Sequence, residues 1–101
     1  VQREAFEDFA GRVEEELGDS LERLVLYGSV ARGEENQDSD VDIFAVVEST
    51  AQKEFLQNLA SSMSVEKGVL IIPIVKTAEE YQEMQDTIYA REVMETGEVH
   101  V

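Results

Sequence analysis

Two aspartates and a glycine–serine pair stand at a spacing that suits the chemistry of phosphates and metal ions. Gly28-Ser29 follows the apolar run Leu24-Val25-Leu26-Tyr27, and after ten further residues the chain continues as Asp40-Val41-Asp42, at the start of a second apolar run. Alternate residues of a β-strand point to the same face, so the two carboxylates should project together. Neighbouring carboxylate oxygens are good ligands for hard divalent cations such as magnesium. The pattern therefore predicts a metal-binding pair, Asp40 and Asp42, at the beginning of a strand.

The glycine–serine pair predicts a phosphate-binding half for the same site. Gly28 has no side chain, so a phosphate can approach its backbone closely. We expect a short helix over residues 29–32, and a helix N-terminus offers free N–H groups and a positive dipole to an anion. Arg32 lies one helical turn after Ser29 and could add a charge-assisted contact to phosphate. The alternative for Arg32 is a surface ion pair with Glu35 or Asp38.

A strand–turn–strand with solvated acids is the simpler interpretation of residues 28–42, because glycine and aspartate are common in turns. It accounts well for Gly33, Asn36 and Asp38 in the polar loop over residues 33–39. It accounts poorly for Asp40 and Asp42, which lie within the apolar pattern of a strand. We therefore expect the loop residues to shape the chain and the two aspartates to bind a ligand.

Helical and extended patterns alternate along the chain and predict an α/β (α+β) layer fold, with a small mixed sheet of about three to five strands flanked by helices. One domain is expected over residues 1–101. Residues 41–47 are almost continuously apolar, which is typical of a strand that is buried on both faces. A first helix is predicted at 4–17 and ends at Gly18, and strands are predicted at 21–27, 41–47 and 69–75. Two further helices begin at capping boxes, Ser49-x-x-Gln52 and Thr77-x-x-Glu80. The last helical segment has a break near Asp86 and ends at Gly97, and a short strand follows at 99–101.

Two single residues refine this prediction. Pro73 cannot donate a hydrogen bond to a neighbouring strand, so the third strand is predicted to be an edge strand or to contain a bulge. His100 is the only histidine and stands beside the last residue, so we give it no catalytic role.

Charge restricts the kinds of partner. The chain has 23 acidic and 8 basic residues, a net charge of −15, and such a surface repels polyanions, so general nucleic-acid binding is not expected. Either adaptation to high salt or docking to a basic partner would explain the acidity. A third interpretation is an acidic domain without a nucleotide site that mimics nucleic acid.

Composition also bears on location. The sequence contains no cysteine and no apolar run near the roughly 18 residues of a membrane span, and its N-terminus lacks the character of a signal peptide. We therefore expect a cytoplasmic protein that does not bind membranes, and homo-oligomerisation stays open.

The Gly28-Ser29 and Asp40-x-Asp42 pattern, with a strand on each side, resembles the signature of the DNA polymerase β-like nucleotidyltransferase superfamily, and most closely its minimal nucleotidyltransferases (MNT). In that family two metal ions assist transfer of a nucleoside monophosphate from a nucleoside triphosphate. The resemblance implies Mg²⁺ ligands at Asp40 and Asp42. It also implies that Gly28 and Ser29 hold the phosphates of ATP, with Arg32 beside them.

One feature of the family's pattern is missing. Catalytic members usually carry a third carboxylate on a later strand beside the Asp-x-Asp strand. Here residues 69–76 contain no acid, while Glu66 precedes them and Glu79 follows them. The absence is compatible with a site completed by substrate, water or a partner. It is equally compatible with a module that does no chemistry.

The resemblance also implies a partner. Minimal nucleotidyltransferases are often paired with small helical toxins of the HEPN type, which they counteract as antitoxins, in some cases by adding AMP to a tyrosine hydroxyl. The two hypotheses for this chain are therefore a Mg²⁺-dependent nucleotidyltransferase that modifies a HEPN-type partner and a catalytically degenerate antitoxin that acts by binding alone.

Overall fold

A four-stranded mixed sheet with helices on both faces confirms the predicted α/β layering. The computed structural model of the protein describes residues 1–101. A single turn of 3-10 helix, Gly18–Ser20, separates the first helix from the first strand. The elements in chain order are α1 (Gln2–Leu17), β1 (Leu21–Tyr27), α2 (Gly28–Ala31), β2 (Val41–Val47), α3 (Thr50–Lys67), β3 (Ile71–Thr77), α4 (Ala78–Met84), α5 (Ile88–Thr96) and β4 (Glu98–Val99).

The strands lie in the order β3-β2-β1-β4. β1 runs antiparallel to β2 and to β4, whereas β2 and β3 are parallel and are connected through α3. β2 is therefore central, and all of its residues are buried except the half-buried Asp42, as its apolar run predicts. No helix of the chain is both long enough and apolar enough to cross a membrane.

α1 and α3 cover one face of the sheet and form the main core. Most of the apolar positions of the two helices pack with the inward residues of the strands into one cluster of 19 buried residues, whereas Phe55 lies outside it. Phe9, Val13 and Leu56 are each 0 % exposed. The helical spacing of the apolar residues in both segments is thus explained by burial against this face.

α4 and α5 cover the opposite face with a much smaller apolar cluster. The cluster consists of the buried side chains of Val25, Phe44, Val46 and Val93, with half-buried side chains around them. The ring of Tyr81 packs against Phe44, with the ring centroids 5.9 Å apart. This face also carries the site described below.

Side-chain caps mark the starts of α4 and α5, and the cap predicted for α3 needs a correction. Thr77 and Glu80 form the predicted capping box, each side chain bonding to the other residue's backbone N–H. The box predicted at Ser49 does not form, because the Ser49 hydroxyl donates to the side-chain oxygen of Gln52 instead of accepting from the backbone. α3 nevertheless begins directly after Ser49.

The predicted helix break near Asp86 is present. α4 ends at Met84, and α5 begins after Thr87, whose hydroxyl donates to the Met84 carbonyl and accepts from the N–H of Ala90. Thr87 thus ends one helix and caps the next, so the two helices can lie at different angles on the sheet. Gly97 ends α5 as predicted.

β3 is an edge strand, as Pro73 predicts, although it spans Ile71–Thr77 and not residues 69–75. The Leu70 carbonyl accepts from the Val41 N–H, so alternation points the backbone groups of Ile71 and Pro73 away from β2. The Ile71 N–H is satisfied by the Ser64 hydroxyl at 2.8 Å, and Pro73 has no N–H. The outer edge therefore offers few donors to another strand.

Candidate functional site

The glycine–serine pair and the two aspartates meet where β1 ends and β2 begins. Tyr27 is the register partner of Asp42 across the antiparallel pair, which places Gly28 beside the Asp42 side chain. Gly28 has a φ of 76°, and a Cβ built on it would contact Oδ2 of Asp42. Glycine is favoured here because the backbone has a positive φ, and a larger residue would also have to displace the adjacent carboxylate.

Asp40 and Asp42 are both half-buried and lie two residues apart at the start of β2. The pKa of Asp42 is raised, first because burial disfavours its charged form and second because the negative charge of Asp40 is close. The positive charge of Arg32 opposes this rise. A divalent cation between the carboxylates would relieve the repulsion, so the donor set fits a hard metal ion such as Mg²⁺.

Arg32 follows α2 and is oriented by an ion pair that differs from the predicted ones. Its Nε lies 3.3 Å from Oε2 of Glu34, whereas Glu35 and Asp38 were the expected partners. Glu34 is held close because its N–H donates to the Ser29 carbonyl at 2.9 Å. The guanidinium is half-exposed, at 51 %, and remains accessible to a ligand.

Ser29 is half-buried in the single turn of α2. α2 itself spans Gly28–Ala31, one residue earlier than expected. Ser29 is thus close in sequence and space to Gly28 and Arg32, and the structure brings these three residues to the same end of the sheet as the aspartates.

The loop that leads to Asp40 is held by a residue that the sequence pattern did not single out. Gln2 is the only buried polar side chain, at 6 % exposure, and its Nε2 donates to the carbonyls of Asn36 at 2.6 Å and Ser39 at 3.4 Å. Within the loop, Asn36 Oδ1 accepts from the Asp38 N–H, and the Ser39 hydroxyl accepts from the Asn36 N–H. The predicted helix began at residue 4, which left Gln2 outside the pattern.

The strand beside the aspartates supplies no third acid. Ile72 of β3 is the register partner of Asp42, and it is half-buried on the sheet. No three acidic or histidine side chains come together anywhere in the chain as a metal site. The departure from the family's pattern that the sequence shows is therefore also present in the geometry.

A groove of about 290 Å³ opens next to Gly28, between the end of β1 and α5. The α5 residues that line it stand at i, i+3, i+4 and i+7, which is one face of a helix. The lining residues are Tyr27, Gly28, Arg32, Tyr89, Glu92, Val93 and Thr96. The sequence pattern predicted a helix here but did not single out its polar members as the lining of a groove.

Two of the lining residues are tyrosines that contact each other. The hydroxyls of Tyr27 and Tyr89 are 3.3 Å apart, and the Tyr89 ring packs edge-on against Phe44 with the centroids 6.3 Å apart. The pKa of Tyr27 is raised, mainly by burial, with further contributions from Tyr89 and from the negative charge of Asp42. Tyr27 is therefore a neutral phenol, which can donate or accept a hydrogen bond.

α5 lies close to β1 because of a second glycine. A Cβ on Gly97 would lie 2.5 Å from Cγ1 of Val25 and 3.2 Å from the Leu26 carbonyl oxygen. The end of α5 consequently rests on β1 before the chain enters β4. This close contact fixes the wall of the groove that α5 provides.

The sequence and the fold both match known nucleotidyltransferases. The profile described as the nucleotidyltransferase domain matches residues 7–96. A candidate protein adenylyltransferase of Methanocaldococcus jannaschii is 33% identical over 75 residues, which are 71% of this chain and 76% of the relative. A second candidate protein adenylyltransferase of that organism is 26% identical over 98 residues, 97% of this chain and 96% of the relative.

Among solved structures, one described as a toxin–antitoxin with AMP-PNP has a similar fold. Its TM-score is 0.67 at 17% identity, and the match covers 92% of this chain and 70% of that one. The profile match over nearly all residues and the identity to the first relative establish the family. The chain therefore belongs to the nucleotidyltransferase domain family, as a member of the minimal-nucleotidyltransferase type.

Proposed function

We propose that this chain is a magnesium-dependent nucleotidyltransferase that transfers AMP from ATP to a hydroxyl group of a protein. The observation that carries the proposal is the contact between Asp42 and Gly28, which brings the predicted metal-binding pair against the predicted phosphate-binding turn. Arg32 acts on the same group, since its charge lowers the pKa of Asp42. These residues offer two carboxylates to a cation and a cationic side chain to a triphosphate.

In the proposed reaction the acceptor oxygen forms a bond to the α-phosphorus of ATP. The bond from that phosphorus to the oxygen that bridges to the β-phosphate breaks, pyrophosphate leaves with the electron pair, and the acceptor's proton passes to solvent. Asp40 and Asp42 would hold Mg²⁺, which stabilises the negative charge that develops on the phosphates. Gly28, Ser29 and Arg32 would hold the β- and γ-phosphates, so that the leaving group is oriented for displacement by the acceptor oxygen.

We further propose that the acceptor is a tyrosine of a HEPN-type toxin and that the chain acts as its antitoxin. Both curated relatives are described as candidate protein adenylyltransferases, and the structural neighbour is described as a toxin–antitoxin with AMP-PNP. The net charge of −15 would favour a basic partner by long-range attraction.

Ile72 supports a second candidate function, a non-catalytic antitoxin that acts by binding. An isoleucine stands beside Asp42 at the place where β3 could have carried a third carboxylate. Without that ligand, activation of the acceptor hydroxyl would depend on the partner or on solvent. In this alternative the partner is neutralised although no AMP is transferred.

Labelled ATP separates the two candidates. The protein is incubated with ATP labelled at the α-phosphate, Mg²⁺ and the protein encoded by the neighbouring gene, in parallel with Asp42→Asn and with a sample containing EDTA. Label on the partner in the wild-type sample alone supports transfer. Absence of label in all three samples would overturn the catalytic proposal.

The binding alternative has its own test. A double variant, Asp40→Ala with Asp42→Ala, should still bind and neutralise the partner if masking is sufficient. If the folded double variant binds the partner but no longer neutralises it, the carboxylates are needed for chemistry and the alternative fails.

A further inference from the structure

The groove between β1 and α5 has walls of different chemical character. Gly28 and Arg32 lie on one wall and suit phosphate, as described above. Tyr89, Glu92 and Thr96 lie on the other wall, and α5 contributes no cationic side chain to it. A carboxylate repels phosphate, so an anionic ligand should keep its charged part away from Glu92.

Glu92 is available to a ligand. It is exposed, and it takes part in none of the seven ion pairs of the chain. A carboxylate accepts hydrogen bonds from hydroxyl or amino groups. The Thr96 hydroxyl donates to the backbone carbonyl of Glu92, one turn earlier on α5, and so leaves the Glu92 carboxylate unpaired.

The size of the groove limits what it can hold. Its volume of about 290 Å³ lies at the lower end of the range of roughly 300–1,000 Å³ typical of pockets that bury a whole small ligand. It is therefore suited to one part of a nucleotide, with the remainder outside. The phosphates would lie at the Gly28 end of the groove, beside the aspartates.

We propose that this groove is the nucleoside subsite, in which the base stacks on Tyr89 and Glu92 accepts a hydrogen bond from the ribose 2′-hydroxyl. Aromatic side chains are good platforms for bases of any sequence, because every base presents a flat π-face. Tyr89 is 40% exposed while its hydroxyl contacts Tyr27, so the ring is both accessible and oriented. The inference rests on the proposed function, since it assumes a nucleoside triphosphate whose phosphates lie at Gly28.

Calorimetry with two ligands tests the proposal and the function on which it rests separately. Mg²⁺ with ATP and Mg²⁺ with inorganic tripolyphosphate are titrated into the wild type, Tyr89→Ala and a control, Ile88→Ala. Ile88 is the neighbouring α5 residue, is 84% exposed and does not line the groove. Tripolyphosphate reports the phosphate site, whereas ATP reports both sites.

The expected result is that Tyr89→Ala weakens ATP binding by about tenfold, the scale of one base–aromatic stack, and leaves tripolyphosphate binding unchanged. Ile88→Ala should change neither. Equal ATP affinity in Tyr89→Ala and the wild type would overturn the nucleoside subsite and leave the proposed function standing. A parallel loss of both ligands in Tyr89→Ala also overturns it. If neither ligand binds the wild type, the proposed function itself fails.

A second variant tests the Glu92 carboxylate and leaves the Tyr89 ring unchanged. Glu92→Gln is an exposed substitution that keeps the shape of the side chain, so it should not affect folding. We expect the wild type to prefer ATP over 2′-deoxy-ATP and Glu92→Gln to lose most of that preference, because a charged acceptor for the 2′-hydroxyl is removed. Glu95→Gln on the same helix, outside the groove, is the control. An unchanged preference in Glu92→Gln would show that the carboxylate does not bind the ribose.

Discussion

On the face covered by α1 and α3, 19 buried residues form one continuous apolar cluster, whereas the face covered by α4 and α5 has a cluster of four. The α4/α5 face also carries Asp42 and Tyr27, the groove and the exposed residues of α5. The sheet thus separates most of the apolar core from the half-buried titratable groups and the groove.

Burial also has different consequences for the side chains on the two faces. On the α1/α3 face, burial of apolar side chains stabilises the protein. On the α4/α5 face, burial raises the pKa of Asp42 and of Tyr27, which means that their charged forms are disfavoured there. A half-buried negative charge lowers the stability of the folded state, and a cation bound beside it would offset that loss.

The largest expected effect is on the α1/α3 face. Leu56→Ala should lower the free energy of unfolding by about 2–5 kcal/mol, because Leu56 is fully buried and its removal leaves a cavity. Urea denaturation measures the change. Val13→Ala and Val93→Ala make the same chemical change on the two faces, and Val13→Ala should cost more. A larger loss for Val93→Ala would contradict the division between the faces.

The next effect concerns the turn at the site. Gly28→Ala should cost about 1–3 kcal/mol for its positive φ, and more because the new Cβ would contact the Asp42 carboxylate. Gly33 is the matched control, since its φ is 71° but no atom lies within 4 Å of a Cβ there. The difference in melting temperature between the two variants therefore isolates the contact with Asp42. Equal losses would show that Asp42 does not press on Gly28.

A smaller effect is expected where the two faces are connected through the loop before Asp40. Gln2→Ala removes the hydrogen bonds to Asn36 and Ser39 and should cost about 1–2 kcal/mol, as the loss of a buried side-chain donor usually does. Hydrogen exchange of the amides of residues 36–39 should become faster in this variant. Gln57→Ala, an exposed change on α3, is the control. Unchanged exchange would show that Gln2 does not hold the loop.

The fold followed from the sequence wherever local signals and burial agree. The apolar spacing of α1 and α3 and the position of Pro73 each reflect one local cause, and each prediction is confirmed. The Ser49 box failed because its hydroxyl had a second partner, the Gln52 side chain, which competes with the backbone. Sequence spacing alone cannot decide whether this hydroxyl accepts from a backbone N–H or donates to a side-chain oxygen.

Only part of the candidate site could be predicted from the sequence, for a different reason. Gly28, Ser29, Arg32, Asp40 and Asp42 lie within 15 residues, so their spacing carried a signal. The groove joins β1 to α5, more than 60 residues later, and Gln2 reaches Asn36 from the other end of the chain. Contacts of this kind depend on tertiary packing, which periodicity along one segment does not encode.

Added salt should raise the stability of the protein by screening its surface charges, with a smaller effect than the substitutions have. Crowded acids, such as Glu14-Glu15-Glu16, repel one another, and the repulsion fades as the Debye length falls from about 30 Å at 0.01 M to about 3 Å at 1 M salt. The melting temperature should therefore rise by a few degrees from low to molar KCl. A flat series would exclude adaptation to high salt and leave a basic partner as the reason for the acidity.

Asp42→Asn tests the division between the faces most directly, with stability and AMP transfer measured on the same samples. The pKa of Asp42 is raised in the folded state. Between the ordinary and the raised pKa, the folded state therefore binds more protons than the unfolded state. Stability consequently falls as the pH rises through that window. Without Mg²⁺ at neutral pH, Asp42→Asn should therefore melt at the same or a slightly higher temperature than the wild type, while transfer of label from ATP is abolished. Mg²⁺ should raise the melting temperature of the wild type alone. An Asp42→Asn protein that melts well below the wild type, or that still transfers AMP, would contradict the account.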